Sequence, residues 1–327
     1  MLSRRKLLVL GAAALAAPLL RAQEQKGAMP LVAILIHGKE RALGARIPVL
    51  RAALKELGYA EGRNLRMAVR WSENQIERLP GLARELLAMK PDLVIGSPML
   101  ATQAFHRESK TIPIVMASGA GAQKLGLIAS LARPGGNVTG AINQLEELTA
   151  KQLELVKVLA PRAKRVIVLS SGKSIVEDET REGARAAAKA LGLTLVDAWA
   201  DTPDKFADLP ARCGRERCDA LLVLLDPQLV NLRSELVSFA AKLRIPAVYP
   251  NLEYADDGGL VAYSSDVNEI FRRVATYVDK ILKGAKPGEL PVERPTKFEL
   301  VINLKAARAQ GIAIPQPLLL RADRVIE

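Results

Sequence analysis

The chain reads as an α/β protein of two doubly wound parallel-sheet lobes joined by a three-crossing hinge. Three observations point there. Short apolar runs alternate with helix-patterned segments along most of the 327 residues, the rhythm of a parallel sheet with helices on both faces. That rhythm halts near residues 143–148 and begins again, so there are two similar series. Finally, the stretch 258–303 sets one helix pattern between two short strands, 260–263 and 298–302. The helix carries Ile270, Val274, Val278, Ile281 and Leu282 at roughly helical spacing and stops at Lys283-Gly284. A linker marked by Pro287, Pro291 and Pro295 follows it. One helix held between two chain crossings, with flanking strands that belong to sheets built elsewhere, is how a hinge looks in one dimension.

The first series opens on Leu31–Ile36, apolar throughout, as a strand buried on both faces is. A helix is expected over 47–57, a strand over 65–70, a helix over 75–88 and a strand over 93–95. Met99–Glu108 reads as a helix, 114–116 as a strand and 124–131 as a short helix. The turn Arg133-Pro-Gly-Gly-Asn137 then leads to a strand over 138–141. In the second series, helices are expected over 149–159, 179–191, 204–213 and 230–243. The strands between and after them fall at 166–169, 194–197, 220–224, Ala247–Tyr249 and 260–263. The expected first lobe is 29–142 with 266–293, and the second is 143–265 with 294–327.

Residues 1–22 carry the pattern of an export signal: basic Ser3-Arg4-Arg5-Lys6, an apolar run over 7–20, then Ala22 before Gln23. The run is broken by Gly11 and Pro18 and falls short of the about 20 residues that span a bilayer core. The Arg4-Arg5 pair resembles the twin-arginine export motif, with Leu7 in place of its usual phenylalanine; ordinary Sec export fits as well. No cysteine stands near the cleavage site, so an exported chain without a lipid anchor is expected.

Net charge is +12, nearer +8 once the leader's Arg4, Arg5, Lys6 and Arg21 are removed. Lys and Arg are scattered among Asp and Glu, and aromatics are only 4%, so a nucleic-acid partner is not expected. Cys213 and Cys218, the two cysteines, sit in CGRERC. They could close as a disulfide in an oxidising compartment or stay as thiols, and two thiols make no metal site.

Ligands of open parallel sheets bind outside the carboxyl ends of the strands, so the residues just after each strand are the candidates. In the first lobe these include His37, Ser97, Ser118 and Gly119. In the second they include Ser171, Asp226, Glu253 and Tyr254. Ser97 and Ser118 precede helix N-termini, where free backbone N–H groups favour a carboxylate; the plainer reading is an ordinary helix cap. Asp226 ends an apolar strand, where its carboxylate could meet a ligand ammonium or cap the helix that follows. His37 either lines the cleft or makes a local hydrogen bond.

Enzyme signatures fail on spacing. Ser171-Gly-Lys-Ser174 follows a strand as a phosphate-binding loop would, but the first glycine that motif needs falls on Ile167. No G-x-G-x-x-G follows the first strand, and there is no G-x-S-x-G elbow. His37 and His106 are the only histidines, and His106 falls on a helix. Neither catalysis nor a cofactor is expected.

Long stretches carry a family resemblance. GGLVAYSSD, YVDKILKGAKPGELPVERPTKFELVINLKAA, the ending PQPLLLRADRVIE and LARPGGNVTG at 131–140 resemble the bacterial ABC-transporter substrate-binding family typified by TrpX-like proteins. The similarity spreads from about residue 31 to the last. It implies a periplasmic binding protein of the two-lobed type I kind, binding a small molecule such as an amino acid or related carboxylate and serving an inner-membrane ABC permease. A monomer, free in the periplasm, is the expectation; an enzyme or ligand sensor on the same fold is the alternative. The resemblance also favours Asp226 as a ligand contact, because an acidic residue recurs after this strand in TrpX-like members. Relatives often carry Asp-Pro-Val where this chain has Gly119-Ala-Gly-Ala-Gln123, and Asn-Pro where it has Ser171-Gly172. The resemblance therefore does not carry over an aromatic amino acid as the ligand.

Overall fold

The computed structural model describes residues 29–143, 145–172 and 177–327; the expected export signal and Lys173 and Ser174 of the serine-rich loop lie outside them. Strands β1 (Leu31–Ile36), β2 (Arg66–Trp71), β3 (Leu93–Ser97), β4 (Ile114–Gly119) and β5 (Val138–Ile142) form one sheet in the order β2-β1-β3-β4-β5, parallel throughout. The second sheet is built from β6 (Arg165–Ser170), β7 (Thr194–Trp199), β8 (Ala220–Val223), β9 (Ala247–Tyr249), β10 (Val261–Ser265), β11 (Phe298–Asn303) and β12 (Arg324–Ile326). Its order is β12-β11-β10-β9-β8-β6-β7.

The central strands β1, β3 and β8 are buried along their whole length, which is why they read as unbroken apolar runs. Helices cover both faces of each sheet, and each face holds its own apolar cluster. The helix Val267–Leu282 buries Ile270, Phe271, Val274 and Val278 in the same cluster as Val32, Ile34 and Ile36 of β1. It therefore packs on the first sheet, although β10 before it and β11 after it belong to the second.

That excursion explains one departure from parallel pairing. β10 runs to the edge facing the first lobe, the chain leaves, and it returns at the same edge, where Phe298 pairs with Ser265. β11 can re-enter only antiparallel to β10.

Three expected helices are corrected. Residues 124–131 form turns instead of a helix: Gly126 takes a left-handed φ of 67°, and Leu127 folds back to donate to the Ala122 carbonyl. The expected helix over 204–213 is two, Pro203–Phe206 and Leu209–Glu216, because Pro210 has no N–H and its ring would clash with the carbonyl four residues back. Likewise 230–243 divides into Pro227–Asn231 and Arg233–Leu243. Cys213 and Cys218 are thiols here, and burial pushes the Cys213 thiol up to about 12. Among the described residues no helix is long and apolar enough to cross a membrane.

Candidate functional site

The carboxyl ends of both sheets meet around one cleft. From the first lobe it is lined by residues that include His37, Arg46, Met99 and Ser118; from the second, by residues that include Asp226, Val230 and Asn251. Asn143 at the first crossing, and Ser264 and Ser265 at the second, line it too.

His37 directly follows β1 and is 5% exposed. Its backbone N–H donates to the Ser97 carbonyl at 2.7 Å, and its Nδ1 lies 2.7 Å from the Ser72 hydroxyl. Burial lowers the imidazole pKa against an opposing pull from Glu77, so the ring is neutral at neutral pH. His37 thus lines the cleft and also makes the local hydrogen bond.

Ser118 sits near the end of β4, where a register shift between Met116 and Gly119 breaks the ladder with β5. Its φ of 64° is left-handed, a conformation that costs a non-glycine residue roughly 1–3 kcal/mol. The Ser118 hydroxyl accepts from Asn143 Nδ2 at 2.9 Å, and Asn143 Oδ1 accepts from the Ser265 hydroxyl at 3.4 Å. Three residues from β4, the first crossing and β10 are thereby linked on the cleft wall. Gly119 is the last residue of β4.

Asp226 caps and lines at once. Its Oδ1 accepts from the Gln228 amide at 2.8 Å, at the start of the helix Pro227–Asn231. The other oxygen, Oδ2, accepts from the Ser171 amide at 2.8 Å, 55 residues away in sequence. The carboxylate is 1% exposed, so both bonds form out of water. Ser171 is consequently a buried support of Asp226 and not part of the lining.

Three of the expected contacts stand behind the lining. Ser97 is fully buried, with its hydroxyl unpaired among the described residues; its neighbours Pro98 and Met99 reach the cleft instead. Tyr254 is also fully buried, and its ring stacks on Tyr249 with centroids 5.0 Å apart. That burial pushes its phenol pKa well up. Glu253 begins the short helix Glu253–Asp256 and acts on the cleft through its charge, which Arg46 feels.

Arg46 and Asn251 add to the polar lining, as do Asn74, Gln228 and Asn231. Asn251 is 8% exposed, and its Oδ1 has no hydrogen-bond partner among the described residues. It follows β9 by two residues, within reach of the same end-of-strand rule. Arg46 starts a helix ten residues beyond β1, and nothing in its local sequence marks it. Much of the rest is aliphatic, with Leu43, Ile76, Leu225 and Val230 among it, and no Phe, Tyr or Trp lines the cleft among the described residues. Among the described residues the arrangement offers an unpaired acceptor and one charge of each sign on largely aliphatic walls, which suits binding a small polar molecule.

The comparisons agree with this architecture. A tyrosine-binding protein of Clostridioides difficile is 25% identical over 275 residues, covering 83% of this chain and 79% of its own. The crystal structure of an ABC domain in complex with L-Trp from Streptococcus pneumoniae is 26% identical, with a TM-score of 0.82 over 91% of this chain and all of its own. A conserved domain protein of Vibrio cholerae, 27% identical, superposes at a TM-score of 0.83 with the same coverage. The family model for ABC transporter substrate binding proteins matches residues 32–326. This two-lobed chain belongs to the ABC transporter substrate binding protein family.

Proposed function

We propose that the protein is a periplasmic receptor that captures an amino acid or related carboxylate between its lobes and delivers it to an inner-membrane ABC permease. The observation that carries the reading is the cleft itself, lined from the carboxyl ends of both sheets and crossed by the chain at its edge. Asp226 and the unpaired Asn251 Oδ1, both on the second lobe, offer acceptors for an ammonium group. Relatives that bind tyrosine and L-Trp support an amino acid, while the aliphatic walls favour one that needs no stacking partner. A ligand that touches both lobes stabilises the closed arrangement over the open one, and the permease reads that closure. No bond is made or broken. The export pattern of residues 1–22 supports a periplasmic location, a cleft lined by both lobes of one chain supports a monomer, and scattered charge with few aromatics supports the lack of a nucleic-acid partner.

Mass spectrometry of small molecules released when the purified protein is denatured tests the reading. An amino acid or carboxylate, recovered near one equivalent, is the expected result. Recovery of a reaction product that the protein forms from an added precursor would instead favour an enzyme.

A further inference from the structure

We infer that Arg46 receives an acidic group of the ligand and so restricts the cleft to carboxylates. The inference rests on reading the cleft as a solute site. Arg46 lines that cleft from the first lobe. Its guanidinium makes no hydrogen bond or ion pair with any described residue, although it is half-buried there.

The placement works against the helix. Arg46 opens the helix Arg46–Glu56, whose first turn holds no acidic residue and whose N-cap, Ala45, makes no side-chain cap. A cation at the positive end of a helix is unfavourable. An anion brought to this point would meet the guanidinium and the helix end together, and both attract it.

The surroundings leave that charge open. Asp226, the acid in the lining, already accepts two backbone amides. Glu253 acts on Arg46 from the other lobe without an ion pair forming. Burial, partly opposed by Glu253, draws the guanidinium pKa below its ordinary value, yet an arginine stays protonated. It is a half-buried cation with no hydrogen bond or ion pair among the described residues. The unpaired Asn251 Oδ1 on the opposite lobe can take the ligand's N–H end, so an acid group and a donor would bridge the cleft.

The test is titration calorimetry of the full mature protein, stripped of bound molecules, as wild type, Arg46→Gln, Arg46→Lys and Glu253→Gln. The probes are the standard L-amino acids and short branched-chain monocarboxylates, each binder being repeated as its carboxamide. Wild type should bind at least one acid and prefer it over its amide by roughly tenfold or more. Arg46→Gln should lose most of that preference and Arg46→Lys should keep part of it. Without ligand, Arg46→Gln should melt no lower than wild type, since the cation opposes the helix dipole. Arg46→Gln with an unchanged acid-to-amide ratio overturns the inference and leaves the receptor reading standing. So does an equal loss in Glu253→Gln with that ratio intact, which would make the two residues a latch between lobes. If no acid binds and denaturation releases a neutral or cationic molecule, the role of Arg46 is again refuted alone. No binding and no released molecule removes both readings.

Discussion

Asp226 shows how a single side chain can be read two ways from sequence and still hold a surprise. Capping alone would let Asp226→Asn pass quietly, because an amide oxygen can still accept from Gln228. The bond to Ser171 changes that expectation. Asparagine offers one acceptor, so its NH2 group must face either the Gln228 or the Ser171 amide, a donor against a donor. A buried unsatisfied donor costs about 1–3 kcal/mol. Asp226→Asn should therefore lower the melting temperature of the ligand-free protein by several degrees, besides weakening binding. An unchanged melting curve would mean that the Ser171 amide finds another acceptor.

The histidines predict an acid limb. His37 is held below its ordinary 6.5 by burial, and His106 is lowered by burial and by Lys110. In the unfolded chain both take up protons as the pH falls through about 6.5, while in the folded chain they resist. Stability is therefore full above that pH and declines below it. Urea midpoints measured between about pH 5 and 8 should fall on the acid side, and His37→Gln should flatten the decline.

At the scale of elements, the cleft depends on how closely helices approach strands. A Cβ on Gly96 of β3 would lie 2.6 Å from the backbone N and Cα of Thr102, in the helix Met99–Glu108. The Thr102 hydroxyl donates to the Gly96 carbonyl at 3.1 Å, pinning the contact. Gly96→Ala must push that helix outward, and Met99 and Leu100 on the cleft wall move with it. A loss of about 1–3 kcal/mol and weaker ligand binding are expected. Gly81, in the helix Leu79–Ala88, has nothing within 4 Å of the same added carbon. Gly81→Ala should stabilise by up to about 1 kcal/mol, through helix propensity alone. Denaturant midpoints of the two variants should move in opposite directions.

For the whole molecule the question is how the lobes are joined. Asp266, where the chain leaves β10, caps the helix Val267–Leu282 by accepting from Asn268 and Glu269 amides at 2.8 and 3.1 Å. On the return path Lys297 donates its amide to Glu269 at 3.0 Å, and Glu269 also holds Arg273. The second and third crossings are thus tied side by side, next to the Asn143–Ser265 contact of the first. Across the cleft the lobes meet through contacts as thin as Lys124–Glu182, at 3.9 Å with both side chains about two-thirds exposed, an ion pair of little strength. A joint bonded on one side and open on the other favours a hinge. Small-angle scattering should show the radius of gyration falling when the molecule recovered from the cleft is added back, with unchanged circular dichroism. An unchanged radius would mean rigid lobes.

Sequence alone determined the two-sheet plan, because the central strands are dry on both faces and must be apolar along their length. The same rule, reading the residue after each strand, reached His37, Ser118 and Asp226, which do line the cleft. Local pattern carries that much because strand direction and strand end are local properties. Depth and partnership are not. Ser97 and Tyr254 obey the end-of-strand rule as well as the others do, yet packing from other segments buries both behind the wall. Only the fold brings Ser171 to Asp226, 55 residues apart, and only it sets Arg46 of one lobe in the field of Glu253 of the other. Charge acts through distance in space, and the spacing of residues along a chain does not record that distance.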